Sequence, residues 1–214
     1  MRLSPVIALV VAAAAAACHR PSPLLAPVPA KIDTQSPDSF LVRFETTRGD
    51  VYLNVHRDWS PKGADRIYYL VRNGYYDGVR FFRAVPNFVV QFGMSGDTAI
   101  YAAWKDRRFA DDSVTRSNVR GTLSFATSGP NTRTTQLFIN LANNQRLDAR
   151  GFSPVAQVVH GMEIVDSLYQ GYGDGAPRGK GPSQDTIAKE GEAYLAREFP
   201  KLDKLIKARV VKRW

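Results

Sequence analysis

Phe81-Phe82-Arg83-Ala84-Val85-Pro86-Asn87-Phe88-Val89-Val90-Gln91-Phe92-Gly93 sets one permanent cation and one amide among apolar residues, around a turn marked by Pro86 and Asn87. The flanks read as short strands, Val79 to Val85 and Phe88 to Phe92. If Arg83 and Gln91 faced a closed core, each would need a buried partner, which for Arg83 means an ion pair. If they line a cleft, no such pair is required. Spacing alone leaves both readings open.

Downstream, Leu123-Ser124-Phe125-Ala126-Thr127-Ser128-Gly129-Pro130-Asn131-Thr132-Arg133-Thr134-Thr135-Gln136-Leu137-Phe138-Ile139 is a strand, a turn-rich loop and a second strand that opens with Gln136. Taken alone, Gly129-Pro130-Asn131 is only a turn signal, and Phe138 is an ordinary core aromatic. Upstream, Phe40 to Thr46 and Asp50 to Val55 alternate apolar and polar residues around Arg48-Gly49 and predict a β-hairpin. Ser60, Pro61 and Gly74 bracket a helix whose Ile67, Leu70 and Val71 share one face. Further strands are predicted at Thr122 to Ala126, Gln136 to Asn140, Val155 to Val159 and Ala208 to Lys212, with helices at Gly161 to Tyr169 and Gln184 to Arg197. So many short strands punctuated by Gly, Pro, Asn and Asp indicate an antiparallel barrel or sandwich.

The 214 residues suffice for one well-buried domain with appendages. The net charge of +9 comes from basic residues interleaved with Asp and Glu, and no nucleic-acid-binding motif accompanies it, so nucleic acid is not an expected partner. His19, His56 and His160 lack metal-ligand spacing. Gly93-Met94-Ser95-Gly96 is not a nucleophile elbow, and no His and Asp can be assigned to activate Ser95. The glycine-rich stretch Gly171 to Pro182 lacks the strand and Gly-Lys-Ser/Thr arrangement of a phosphate loop and reads as a mobile loop. No metal and no cofactor are expected.

Met1 and Arg2 precede an apolar run, Val6 to Ala17, that is short for a membrane span and reads as a secretory signal over residues 1–17. Ala15, Ala16 and Ala17 lead into Cys18, the chain's single cysteine, which resembles a bacterial lipoprotein processing site where the thiol carries lipid. Ala15 stands where Leu is more usual. The favoured expectation is therefore a lipid-anchored protein of the bacterial cell envelope, with cleavage to a soluble periplasmic form as the alternative. A single cysteine allows no internal disulfide. Pro21, Pro23, Pro27, Pro29 and Pro37 mark residues 18–38 as an extended tether, and the folded domain is expected over 39–214.

In order and spacing together, the two quoted segments resemble the cyclophilin family, whose signature carries a Phe-His-Arg tripeptide, a Pro-x-Phe and a Gln-x-Gly, then an Ala-Gly-Pro-Asn-Thr loop and a Gln-Phe-Phe-Ile strand. The resemblance extends from about Phe40 to Val165, and more loosely to the C-terminus. It implies a mainly β fold, an eight-stranded antiparallel barrel capped by two helices. It also implies peptidyl-prolyl cis/trans isomerase activity on proline-containing polypeptides, with a monomer as the expected state. Carried over by position, Arg83 is the catalytic arginine and Gln91 the glutamine that holds the substrate backbone. Phe88 and Val89 form the floor of the proline pocket, Ala126 and Thr127 the substrate-binding edge, Gln136 a supporting polar residue, Phe138 the pocket aromatic and Leu147 a wall. The sequence departs from the family at Phe82 and Thr127, where histidine and asparagine are usual, at Phe152, where some members have a pocket histidine, and at Arg146, where many have tryptophan. Rotation about an amide makes and breaks no covalent bond, which fits a pocket with neither nucleophile nor cofactor. A proline-binding chaperone module without catalysis is the alternative.

Overall fold

The computed structural model describes residues 22–32 and 34–214, so Cys18, the signal segment and His19 lie outside the described residues. Nine antiparallel strands form one sheet: β1 (Ser39–Thr46), β2 (Gly49–His56), β3 (Val79–Arg80), β4 (Arg83–Val85), β5 (Val89–Phe92), β6 (Thr122–Phe125), β7 (Leu137–Asn140), β8 (Pro154–His160) and β9 (Lys204–Arg213). Their order is β3-β9-β1-β2-β8-β6-β7-β5-β4. The two edge strands are separated along the chain only by Phe81 and Phe82, so the sheet curls round until its edges meet in one interrupted strand. Counted that way the strands number eight, as the sequence led us to expect. Counted by hydrogen bonding they are nine, because the chain changes partners there: Val79 and Arg80 pair with β9, and Arg83 to Val85 pair with β5.

Strict alternation builds the hairpin. In β1, Phe40, Val42 and Phe44 point into the core, and in β2, Val51, Leu53 and Val55 answer them. The helix α2 (Pro61–Arg72) buries Ala64, Ile67, Leu70 and Val71 at helical spacing and starts with proline in its first turn. Four other α-helices are present among the described residues, α1 (Pro29–Ile32), α3 (Thr98–Trp104), α4 (Met162–Asp166) and α5 (Gln184–Glu198), with one 3-10 helix at Gln145–Arg150. The sequence reading has no counterpart for α3, whose start is fixed by the Asp97 side chain accepting from the Ala99 and Ile100 amides at 2.8 and 3.1 Å. It also treats α5 as continuous, whereas Gly191 breaks it at φ +57, where the Gly96 carbonyl comes too close for any side chain.

The proline-rich segment differs from the expected extended tether. Leu24 and Ile32 are buried, the Trp104 indole donates to the Leu24 carbonyl at 2.9 Å, and the Tyr69 hydroxyl donates to the Pro23 carbonyl at 3.3 Å. Two apolar residues among the prolines suffice to seat the strap against α2 and α3. Proline count alone does not report this.

Candidate active site

The turn at Pro86 and Asn87 positions the site. Asn87 takes the left-handed conformation at φ +55, and the Phe88 amide donates to the Val85 carbonyl at 3.1 Å, which folds β5 back on β4 with Arg83 opposite Gln91. Arg83 and Gln91 therefore project side by side, and the Arg83 Nη1 donates to the Gln91 side-chain carbonyl at 3.1 Å. Gln91 in turn donates to Gln136 at 2.8 Å, and Gln136 donates to Gln184 at the start of α5 at 3.1 Å. Each amide in this chain has its orientation set by the next. The guanidinium lies over the Phe88 ring, 5.5 Å from its centroid.

Beneath this polar row, Val89, Phe138 and Leu147 form a small apolar cluster, separate from the barrel core, with Phe88, Ala126 and Phe152 packed against it. Phe138 meets Phe152 edge to face at 5.6 Å. The cluster floors a cleft of about 700 Å³. Thus all ten residues expected at the site, Arg83, Gln91, Phe88, Val89, Ala126, Thr127, Gln136, Phe138, Leu147 and Phe152, line one cavity. The Thr127 hydroxyl is turned to its own loop, bonding the Gly129 carbonyl and the Thr132 hydroxyl. Arg146 stands at the rim on Phe88, 4.9 Å from the ring centroid.

The two readings of Arg83 left open by the sequence hold together: it lines the cleft, and it also has an ion-pair partner. Asp174, from the glycine-rich loop, accepts from Arg83 Nε at 2.6 Å and from Nη2 at 3.4 Å. The Arg83 hydrogen bond, aided by the Gly175 amide, holds the Asp174 carboxyl below the usual carboxylate range despite its partial burial. Neither Asp174 nor Gln184 could be found by motif. The contact joins positions 91 residues apart, and the loop's only local signal is glycine.

The loop that follows β6 has its own anchor. Arg133, 3 % exposed, reaches Asp112 at 3.1 Å, donates to the Ala110 carbonyl, and lies over the Phe109 ring at 4.3 Å. Its Nε is 3.2 Å from Asp111, a contact that is Coulombic rather than an aligned hydrogen bond. Burial opposes the charge on Asp112, but Ser60, Arg133 and the Gly63 and Lys62 amides outweigh it and hold that carboxyl below its ordinary range.

Comparison with known proteins identifies the family and the fold. Residues 41–190 match the family described as cyclophilin type peptidyl-prolyl cis-trans isomerase/CLD. A peptidyl-prolyl cis-trans isomerase of Arabidopsis thaliana is 35% identical over 135 residues, covering 59% of this chain and 81% of the relative. One of Acinetobacter baylyi is 32% identical over 133 residues, covering 60% and 71%. The crystal structure of a cyclophilin-type isomerase from Cryptosporidium parvum superposes with a TM-score of 0.61 at 20% identity, over 82% of this chain and 99% of that one, and shares the fold. With a family match over most of its length, the curled β-sheet and an arginine set over an apolar pocket, the chain belongs to the cyclophilin-type peptidyl-prolyl cis-trans isomerases.

Proposed function

We propose that the chain accelerates rotation about X-Pro bonds of exported polypeptides by stabilising a twisted amide in the cleft beneath Arg83. The observation that carries this is a guanidinium held at the edge of an apolar pocket with donors to spare. Nε, one N–H of Nη2 and one of Nη1 are engaged, which leaves one N–H on each terminal nitrogen. The barrier to rotation is about 18–20 kcal/mol because the amide C–N bond is partly double. As conjugation is lost, the prolyl nitrogen regains its lone pair. A donor already aimed there is worth more to the twisted state than to the planar one, and only that difference accelerates the reaction.

In this reading Phe88, Val89, Phe138 and Leu147 grip the proline ring, with Phe152 closing the side. Ala126 and Thr127 offer backbone to the flanking peptide. Gln91 acts first on Arg83, accepting from its Nη1, and through its remaining amide hydrogen on the substrate chain. Gln136 holds Gln91. A protease-coupled isomerisation assay on the purified protein tests the reading: the slow phase of cis X-Pro peptide cleavage is expected to speed up in proportion to enzyme. A folded protein that binds such peptides without accelerating them would be a proline-binding module instead.

Export enters through the sequence. We propose that Cys18 carries lipid, because the apolar run ends in three small residues immediately before it. Mass spectrometry of protein taken from the native membrane is expected to show an N-terminal Cys18 with added acyl mass. A soluble mature chain cut elsewhere, or an unmodified thiol, would end the lipoprotein reading and leave the isomerase untouched.

A further inference from the structure

The loop between α4 and α5 closes on itself. The Gly181 amide donates to the Asp174 carbonyl at 2.8 Å, the Ala176 amide donates to the Gly181 carbonyl at 3.1 Å, and the Arg178 and Gly179 amides both donate to the Gly175 carbonyl at 3.1 Å. Gly179 and Gly181 lie so near the Asp174 carbonyl that a side chain on either would strike it. Glycine here is therefore a packing requirement at the neck of the loop, and Asp174 sits at that neck. Its carboxylate is oriented once more by the Gly175 amide, which donates to Oδ1 at 2.8 Å.

Both ends of this segment reach the polar row of the cleft. Asp174 takes the Nε edge of Arg83, and ten residues further on Gln184 takes the free amide of Gln136. The segment is fastened downstream as well. Ser183 caps α5, and Glu192 on α5 binds Arg80, the last residue of β3, at 2.7 Å, immediately before the Phe81-Phe82 interruption that leads to Arg83. The row Asp174, Arg83, Gln91, Gln136, Gln184 is thus held from both ends by one stretch of chain that none of the signature motifs contains.

We propose that Asp174 is a positioning residue for isomerisation: it holds the Arg83 guanidinium in one plane, so that the two unengaged N–H groups point into the proline pocket before substrate arrives. The inference rests on the isomerase reading above. The geometry favours holding over blocking for two reasons. Asp174 occupies the side-on fork of the guanidinium rather than both terminal nitrogens, so the donors that would meet a substrate stay available. Arg83 is also only 14 % exposed, so water competes little for its donors, and Asp174 adds a two-point contact to the single bond that Gln91 supplies. Preorganisation of this kind appears in turnover, because the ordering is complete before the barrier is climbed.

The test uses the wild-type protein, Asp174→Ala and Asp174→Asn, each checked for an unchanged melting temperature. In Asp174→Ala, kcat is expected to fall about tenfold with KM within about twofold of wild type. Asp174→Asn, which keeps one accepting oxygen at the same place, should fall between the two. Alongside, the Arg83 Nε–H resonance is expected to be slow to exchange in the wild type and fast in Asp174→Ala. A rise in kcat/KM would mean that the carboxylate blocks the site, and a loss confined to KM would mean that the loop binds substrate directly. Either overturns the proposal, as does an unchanged rate, an Asn variant no better than Ala, or an Nε–H equally protected without the carboxylate. An inactive wild type would instead fail the isomerase reading, and the resonance would still report whether the clamp exists.

Discussion

Arg133→Met is expected to cost about 3–5 kcal/mol of folding stability, the usual loss when one member of a buried ion pair is removed and the other stays behind. Asp112 is 5 % exposed and would remain charged in the same place. Methionine nearly fills the volume, so packing against Phe109 and Phe125 changes little. Denaturant unfolding at neutral pH measures the loss, and a value under about 1 kcal/mol would show that Ser60 and the Gly63 and Lys62 amides satisfy Asp112 unaided. The effect should depend on acid in a definite direction. Because Asp112 titrates below its ordinary range in the folded protein, the stability it contributes is fully present above about pH 4 and is lost as pH falls through the folded value. The gap between wild type and variant should therefore narrow in acid. Adding Asp112→Asn to Arg133→Met should return part of the loss.

Arg83→Ala is expected to leave the fold intact and to lower kcat/KM by at least about tenfold, or about 1.4 kcal/mol of transition-state stabilisation. The fold should survive because Arg83 is bonded to Gln91 and Asp174 at the cleft, and Asp174, 28 % exposed, can turn to water once unpaired. Arg83→Lys should recover little, since an ammonium keeps the charge but cannot meet Asp174, Gln91 and the substrate at once from one plane. A folded Arg83→Ala with the wild-type rate would take the guanidinium out of the mechanism.

Much of the barrel is legible along the chain because each strand is short, alternates, and ends at a residue with special backbone demands. Val79 to Val85 shows where that legibility stops. Seven residues read as one strand are two, and nothing local in Phe81-Phe82 says that the chain leaves β9 for β5 there. The helix α3 escaped because its buried face is essentially Trp104, too little for a periodic pattern. The strap at Leu24 and Ile32 escaped because prolines dominate it. In the site, the residues that the two quoted segments single out line one cleft. Asp174, Gln184 and the Arg133 to Asp112 pair were not found, since a partner supplied across a long loop has no spacing to recognise.

The position of β9 bears on how this chain can assemble. Lys204–Arg213 lies between β1 and β3, hydrogen-bonded to both, although it follows them by some of the longest separations in the chain. A polypeptide emerging from a ribosome with its N-terminus leading presents the open side of β1, with unsatisfied N–H and C=O groups, long before the strand that covers it has emerged. Loop-closure entropy must be met before that pairing rewards it, so topology places the molecule among slow folders of high contact order. An enzyme for slow steps in other chains thus has a slow seam of its own, and until the seam closes its early strand edges are the surfaces on which neighbouring chains can aggregate.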